Sequence, residues 1–186
     1  MELKLANIDE IESVLQLHSK YQIATIEEED KKDGFVTTSF TKEQLTKLIE
    51  DENGLFIAKD GNQVVAYVMA ASWQFWLNWP IFQYMIEHLE KLEFNGVKLS
   101  IKSSYQYGPV CVDKNYRGSG LLEKLFEFSR EKMSKRYKTL ITFINKKNPR
   151  SYVAHTQKIG LKVIHEFDFN GNQYYELAYD TSCKLV

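Results

Sequence analysis

Apolar residues recur along the chain with two spacings, one typical of helices and one typical of strands. Five segments show the helical spacing or begin with a helix cap: 8–21, 41–50, 80–94, 118–137 and 148–160. Seven segments alternate or are continuously apolar, as strands are: 2–6, 55–59, 64–72, 97–112, 139–144, 162–168 and 173–179. Strands and helices are therefore mixed, which predicts an α/β (α+β mixed) fold with one mixed sheet covered by helices.

Turn and capping residues mark several boundaries between these segments. A capping box begins at Thr41, and the turns at 60–62 and 170–172 have the Asp-Gly or Asn-Gly chemistry of hairpins. Gly108-Pro109 should interrupt the strand ladder, because proline has no amide donor. Residues 24–40 show no clear periodicity, and we predict a mobile loop there.

Composition narrows the class of protein. The 186 residues are 44% hydrophobic and 26% charged, as in an ordinary globular protein, and we expect a single domain over 1–186. With a formal charge of -1, the protein has no net positive field that would attract nucleic acid or an anionic membrane. The longest mainly apolar run, Val64 to Trp73, is shorter than the ~20 residues that span a bilayer, and the start does not resemble a secretory signal. We therefore expect a cytoplasmic protein without a nucleic-acid or membrane partner.

The metal-ligating residue types are few and scattered. Two cysteines, Cys111 and Cys183, do not suffice for a disulfide framework or a thiolate zinc site. The four histidines show no paired spacing. We expect no metal, and we interpret Cys111 as a small core residue.

A polar turn at Arg117-Gly118-Ser119-Gly120 joins an apolar strand to an amphipathic helix. The first amides of a helix lack partners within the helix, and glycines let a ligand approach closely, so an anion can bind there. Arg117 adds a charged fork that matches phosphate oxygens. The tripeptide of a Walker A loop is missing, and Glu123 replaces the third glycine of a dinucleotide-binding turn. These residues alone fit a phosphate site and a simple tight connection equally well.

The wider pattern resembles a known family. Val110-x-Val112 followed by Tyr116-Arg117-Gly118-Ser119-Gly120-Leu121 is similar to the acetyl-CoA-binding motif of the GNAT N-acetyltransferase superfamily. Asn148-Pro149-Arg150-Ser151, with Ile159-Gly160-Leu161, is similar to the signature of the family's following helix. The resemblance extends over nearly the whole chain, and it implies a central, mostly antiparallel mixed sheet of about seven strands flanked by helices.

The resemblance also implies which residues contact acetyl-CoA. Strand backbone would hold the pantetheine arm, amides of the turn would bind the pyrophosphate, and two residues of the following helix would touch the cofactor. The implied set is Val110, Cys111, Val112, Arg117, Gly118, Ser119, Gly120, Leu121, Leu122, Asn148 and Ser151. Leu122 departs from the family pattern, which has Gly or Ala there.

The residue that protonates the departing CoA thiolate is harder to assign. Many family members use a tyrosine on the helix after Asn148, but here that helix is one residue longer. Counting from Asn148 indicates His155, whereas counting back from Gly160 indicates Thr156. Asn148, Ser151 and His155 share one helical face, and histidine can donate a proton near neutral pH. We prefer His155 as the general acid, with Tyr152 second, while a half-buried histidine without a catalytic part remains the alternative.

The family likeness implies direct attack of a primary amine on the thioester in a ternary complex. The acceptor is a small-molecule amine or a peptide amine, and the sequence does not choose between them. The general base is not identified, although Tyr105 and Tyr107 lie on the strand that leads to the cofactor. A second hypothesis is a non-catalytic acyl-CoA-binding sensor or regulatory module, and a third is a structural interaction domain. An exposed sheet edge is compatible with a homodimer.

Overall fold

The computed structural model describes residues 1–185. Its strands are β1 Glu2–Leu5, β2 Leu55–Asp60, β3 Gln63–Ala71, β4 Glu93–Phe94, β5 Val97–Lys98, β6 Ser104–Val112, β7 Thr139–Asn145, β8 Lys162–Phe169 and β9 Asn172–Asp180. Its α-helices are α1 Ile11–Tyr21, α2 Lys42–Glu50, α3 Pro80–Leu89, α4 Leu121–Met133 and α5 Pro149–Val153. No helix of the described residues is long and apolar enough to cross a bilayer.

Seven of the strands form one sheet with the order β1-β2-β3-β6-β7-β9-β8. The pair β6 and β7 is parallel, whereas β1 with β2, β2 with β3, β7 with β9, and β8 with β9 are antiparallel. The predicted mixed, mostly antiparallel sheet of about seven strands flanked by helices is confirmed. The chain divides into two compact units, each described by itself below.

The first unit comprises residues 1–70 and 108–129. The carboxylate of Glu10 accepts hydrogen bonds from the Asn7 amide at 2.9 Å and from Lys59 Nζ at 2.8 Å, which fixes the start of α1 to β2. Burial raises the pKa of Glu10, but these hydrogen bonds outweigh it and leave that pKa below its usual value. The capping box at Thr41 is confirmed, because its hydroxyl accepts from the Gln44 amide at 3.2 Å.

The second unit comprises residues 71–107 and those from 130 onward. Helix α3 covers one face of β7 and β9, where the Phe82 and Phe143 rings lie 5.5 Å apart. Helix α5 covers the opposite face, where the Tyr152 and Tyr175 rings lie 4.6 Å apart. Neighbouring residues of a strand point to opposite faces, so Glu176 of β9 faces the side of α3.

Two predicted helix boundaries were wrong, and turns at glycine or asparagine explain both. The helix predicted over 80–94 ends at Leu89, and β4 and β5 form a small hairpin instead. Asn95 and Gly96 have φ values of 52° and 76°, which suit an Asn-Gly hairpin turn. The helix predicted from Gly118 begins at Leu121, because the glycines before it have φ values far from the helical range.

The segment 24–40 is not free of regular structure. It contains a short 3-10 helix, Glu28–Asp33, and Gln22 forms a parallel bridge with Val36. The interruption predicted at Gly108-Pro109 does not end the strand, since β6 continues through it with a cis peptide bond. Strand β6 pairs with β7 at residues 104–106, which precede the proline.

Candidate functional site

The turn after β6 is anchored by Asp113 in the first unit. The Asp113 amide donates to the Val65 carbonyl at 2.9 Å, and its carboxylate accepts from Lys20 Nζ at 2.7 Å and from the Asn115 amide at 3.0 Å. Burial raises the pKa of Asp113, but the bonds from Lys20 and Asn115 outweigh it, so the group stays a carboxylate well below neutral pH. The strand end is thereby fixed to α1 and β3.

Arg117 holds the turn through backbone contacts. Its Nε donates to the Val112 carbonyl at 2.9 Å, and Nη1 donates to the Asp33 carbonyl at 2.7 Å. Its guanidinium carbon also lies 4.8 Å from the centre of the Tyr21 ring, within range of a cation–π interaction. The phosphate-binding fork expected from the sequence is thus partly committed to carbonyl oxygens.

The amides of the turn are left without protein acceptors. Gly118 and Gly120 have φ values of 78° and 79°, and an added Cβ at either would meet nothing within 4 Å. Within residues 1–185, no acceptor pairs with the backbone amides of Gly118, Ser119, Gly120, Leu121 and Leu122. The Ser119 hydroxyl donates to the Tyr116 carbonyl at 2.6 Å. Five backbone donors, three in the turn and two in the first residues of the 13-residue helix α4, are therefore available to an anionic ligand.

The end of β6 alternates between half-buried and buried side chains. Val110 and Val112 are half-buried, and Cys111 between them is buried, as the sequence predicted for a core cysteine. Burial raises the pKa of Cys111 to about 12, so its thiol stays protonated and unreactive at neutral pH. Leu121 is buried, whereas Leu122 is only half-buried beside the turn.

The second predicted segment begins in the second unit with Asn148. Its side-chain oxygen accepts from the Ser151 amide at 3.2 Å, and the residue is buried, so the predicted N-cap is confirmed. Pro149 occupies the first helical position, where its missing amide costs nothing. Ser151 is half-buried one turn later, on the same helical face.

His155 is buried within its own helix. Its Nδ1 lies 2.8 Å from the Ser151 carbonyl oxygen, which can only accept, so Nδ1 carries the proton of the neutral ring. Burial lowers the pKa of His155, although this backbone hydrogen bond works in the other direction. The ring is therefore neutral at neutral pH, with Nε2 unprotonated. It packs edge-on against Tyr107, with centroids 5.9 Å apart.

The extra residue of this helix is absorbed in a π-helical turn. The helix widens over Ala154–Ile159, and the amides of Gly160 and Leu161 both donate to the His155 carbonyl. Gly160 then ends it with a φ of 89°. His155 is the second residue of the wide segment, so the α-helical spacing holds from Asn148 to Val153, whereas counting back from Gly160 crosses the π-helical turn.

Tyr152 has a different environment from His155. Its ring is half-buried against Tyr175, and its hydroxyl has no hydrogen-bond partner among the residues that the structure describes. Tyr105 and Tyr107, the candidate bases, are fully buried, and burial raises the pKa of each hydroxyl well above its usual value. Neither becomes a tyrosinate near neutral pH, so neither is a ready base.

Sequence reasoning missed one residue, Glu176 on β9. The residue is 2% exposed, and burial raises its pKa to about 7. The signal was present as a single acidic residue inside the aromatic and aliphatic run 174–179. Within residues 1–185, no group of three or more His, Cys, Asp or Glu side chains is arranged to hold a metal ion.

Comparison with known proteins finds similarity in the fold alone. No protein-family model matches the chain, and no curated protein sequence matches it. An N-acetyltransferase from Staphylococcus aureus Mu50 has a TM-score of 0.61 and 19% identity, over 97% of this chain and 98% of that one. A ribosomal-protein-alanine N-acetyltransferase from Brucella melitensis has a TM-score of 0.63 and 15% identity, over 97% and 99%.

The protein yncA of Salmonella typhimurium, solved with its cofactor acetyl-CoA, has a TM-score of 0.64 and 11% identity, over 97% of this chain and 93% of that one. The chain therefore has the fold of the GNAT N-acetyltransferases, and the resemblance seen in its motifs is confirmed at the level of the fold. The roles of its individual residues are argued separately below.

Proposed function

We propose that the protein is an acetyl-CoA-dependent N-acetyltransferase of the GNAT superfamily. The observation that carries the proposal is the row of five unpaired amides from Gly118 to Leu122 at the start of α4. Such a row, with the positive end of a helix behind it, is suited to a pyrophosphate. The fold shared with solved N-acetyltransferases, one of them holding acetyl-CoA, supports that ligand.

Arg117 serves this site as a positioning residue. Its bonds to the Val112 and Asp33 carbonyls connect the turn to β6 and to the short helix Glu28–Asp33. The backbone of Val110, Cys111 and Val112 would bind the pantetheine arm. The resemblance further assigns Asn148 and Ser151 to cofactor contact. The N-cap role of Asn148 is compatible with this contact.

The reaction is a direct transfer without an acetyl-enzyme. The nitrogen of a primary amine forms a bond to the thioester carbonyl carbon, the carbon–sulfur bond breaks, and the amine loses a proton. The CoA thiolate then takes up a proton. Binding both reactants in one orientation supplies much of the rate, because it removes the entropy cost of their encounter.

The structure supports Tyr152 over His155 as the donor of that proton. Neutral His155 has its proton engaged with the Ser151 carbonyl, and its lowered pKa keeps the cationic form scarce. The Tyr152 hydroxyl has a free proton and lies on a half-buried ring. We therefore propose Tyr152 as the acid and His155 as a residue that orders the helix, which reverses the order preferred from the sequence.

Measurement of CoA-thiol release with acetyl-CoA and a panel of amines tests the proposal. We expect turnover with at least one amine. Tyr152→Phe should lower kcat by about tenfold to a hundredfold, in the range of general acid catalysis, without changing acetyl-CoA affinity. His155→Gln should lower it much less. A large loss in His155→Gln alone would return the acid role to His155.

A non-catalytic acyl-CoA sensor is the second candidate. It is favoured by His155, which stands where many family members have the acid tyrosine. Acetyl-CoA binding without CoA release for any small amine or peptide amine would support it. The named activity of one structural neighbour, on a ribosomal-protein alanine, makes peptide N-termini part of the panel.

A further inference from the structure

Glu176 is a buried acid without a partner. Its Oε1 is shielded from solvent and has no hydrogen-bond partner, and within residues 1–185 the carboxyl forms no ion pair. An unpaired buried carboxylate is costly to keep, since both its hydration and its hydrogen bonds are lost. Each such group in a folded protein calls for an explanation.

The register of the sheet places Glu176 among aromatic side chains. Phe143 of β7 and His165 of β8 lie directly opposite it, on the same face. Tyr174 lies two residues earlier on that face, and its ring is 5.5 Å from the Phe143 ring and 5.2 Å from the Phe167 ring. The carboxyl is thus surrounded by aromatic rings on three strands.

The surface around Glu176 is only partly covered by α3. Phe82 of that helix contacts Phe143, yet Phe143 and His165 remain half-exposed, whereas Glu176 itself is buried. Half-exposed side chains on β7 and β8 therefore flank the buried Glu176. Aromatic faces and a carboxylate both attract a cation, and an ammonium group would also supply the missing hydrogen-bond donors.

We infer that Glu176 and the rings of Phe143 and Tyr174 bind an ammonium group of the acceptor. This inference rests on the proposed N-acetyltransferase function and adds to it that the acceptor is cationic, with an apolar stem beside the charge. The role is recognition: the carboxylate binds the ammonium form of the acceptor, which loses a proton to solvent before its nitrogen attacks the thioester, and Glu176 is not assigned as the base.

Ammonium binding should strengthen as pH rises through about 7, because burial holds the pKa of Glu176 near that value and only the carboxylate pairs with a cation. The other titratable groups on this side are His165 and Lys162 on β8, Tyr174 and Asp180 on β9, and Tyr84 and His88 on α3. None of them forms a hydrogen bond or ion pair with Glu176. In a Glu176→Gln variant the pH dependence around 7 should therefore disappear.

The test uses two probes, 2-phenylethylamine, which is a cation at about pH 8, and its neutral counterpart 2-phenylethanol. We expect the amine and not the alcohol to bind the full-length protein in calorimetry. Glu176→Gln should weaken amine binding, and raise KM for amine acetylation, by about tenfold, in the range of a lost charge-assisted hydrogen bond. The affinity for acetyl-CoA should not change, which also shows that the variant is folded.

Glu166→Gln is the matched control, since Glu166 lies on the neighbouring strand but is exposed and paired with Lys146. It should leave amine binding unaltered. Equal binding of amine and alcohol, unchanged amine binding in Glu176→Gln, or a loss in kcat with KM unchanged would each overturn the inference. Because amine binding is measured without acetyl-CoA, failure of this site is distinguishable from failure of the proposed enzyme, which would show as no acetyl-CoA binding.

Discussion

At the scale of single residues, several polar side chains of the candidate site serve the backbone. Arg117 binds two carbonyls, Ser119 binds a third, and Asn148 caps α5. His155 belongs to the same group, because its ring donates to the carbonyl four residues earlier. These side chains fix helix starts and turns of the proposed site, while the groups left free are amides of the turn and the Tyr152 hydroxyl.

The buried His155 should make stability depend on pH. Its folded pKa is lowered by burial, so the unfolded chain binds the proton more readily, and the stability that the neutral ring contributes is lost as pH falls below about 6.5. We expect the free energy of unfolding of the wild type to fall relative to His155→Gln between about pH 7 and pH 5, in denaturant titrations.

Substitution of the half-exposed His165 by Gln is the control for that experiment. The difference between wild type and His165→Gln should change less over the same pH interval. A difference between wild type and His155→Gln that stays constant with pH would contradict a neutral, buried His155.

At the scale of elements, the turn before α4 and the short helix Glu28–Asp33 are joined by one side chain. Arg117 Nη1 donates to the Asp33 carbonyl, and its guanidinium covers the Tyr21 ring at the end of α1. Lysine keeps the charge but lacks the planar fork that reaches two carbonyls at once. Substitution of Arg117 should therefore weaken the contact between the turn before α4 and the short helix Glu28–Asp33.

Arg117→Lys should speed amide hydrogen exchange in residues 28–36 by about tenfold, since the local opening free energy falls by the value of a hydrogen bond. Arg136→Lys is the control, because the Arg136 guanidinium also lies over a tyrosine ring, at 5.2 Å, but on the second unit. Unchanged exchange in Arg117→Lys would show that the contact does not hold the segment.

Elements marked by clear apolar spacing or by turn residues were predictable from the sequence. Elements where one of these patterns obscured the other were not. Apolar spacing identified α1 and α2, and the Asn-Gly turn at 170–171 identified the last hairpin. The same turn chemistry at Asn95-Gly96 was hidden by the helical spacing of residues 80–94 before it. The π-helical segment Ala154–Ile159 left a trace only as one surplus residue, which the sequence could not assign to a position.

At the scale of the whole molecule, the fold and the motif agree while the sequence has diverged. Identities of 19% and below accompany TM-scores of 0.61 to 0.64 in the three structures compared. The motif resemblance is concentrated in the turn at 117–122. Glu176 could not be predicted as a candidate site residue, because its unusual environment depends on burial and on neighbours from two other strands. No local sequence pattern reveals these.

The most direct test of the account is calorimetric titration of acetyl-CoA into the wild type, Gly118→Ala and Gly96→Ala. Both glycines have positive φ, 78° and 76°, and an added Cβ meets nothing at either, so the two substitutions impose similar backbone strain of about 1 kcal/mol. We predict binding to the wild type, a loss of about tenfold or more in Gly118→Ala because its amides are re-aimed, and no change in Gly96→Ala. No binding to the wild type, or equal affinity in the two variants, would contradict the phosphate-binding turn.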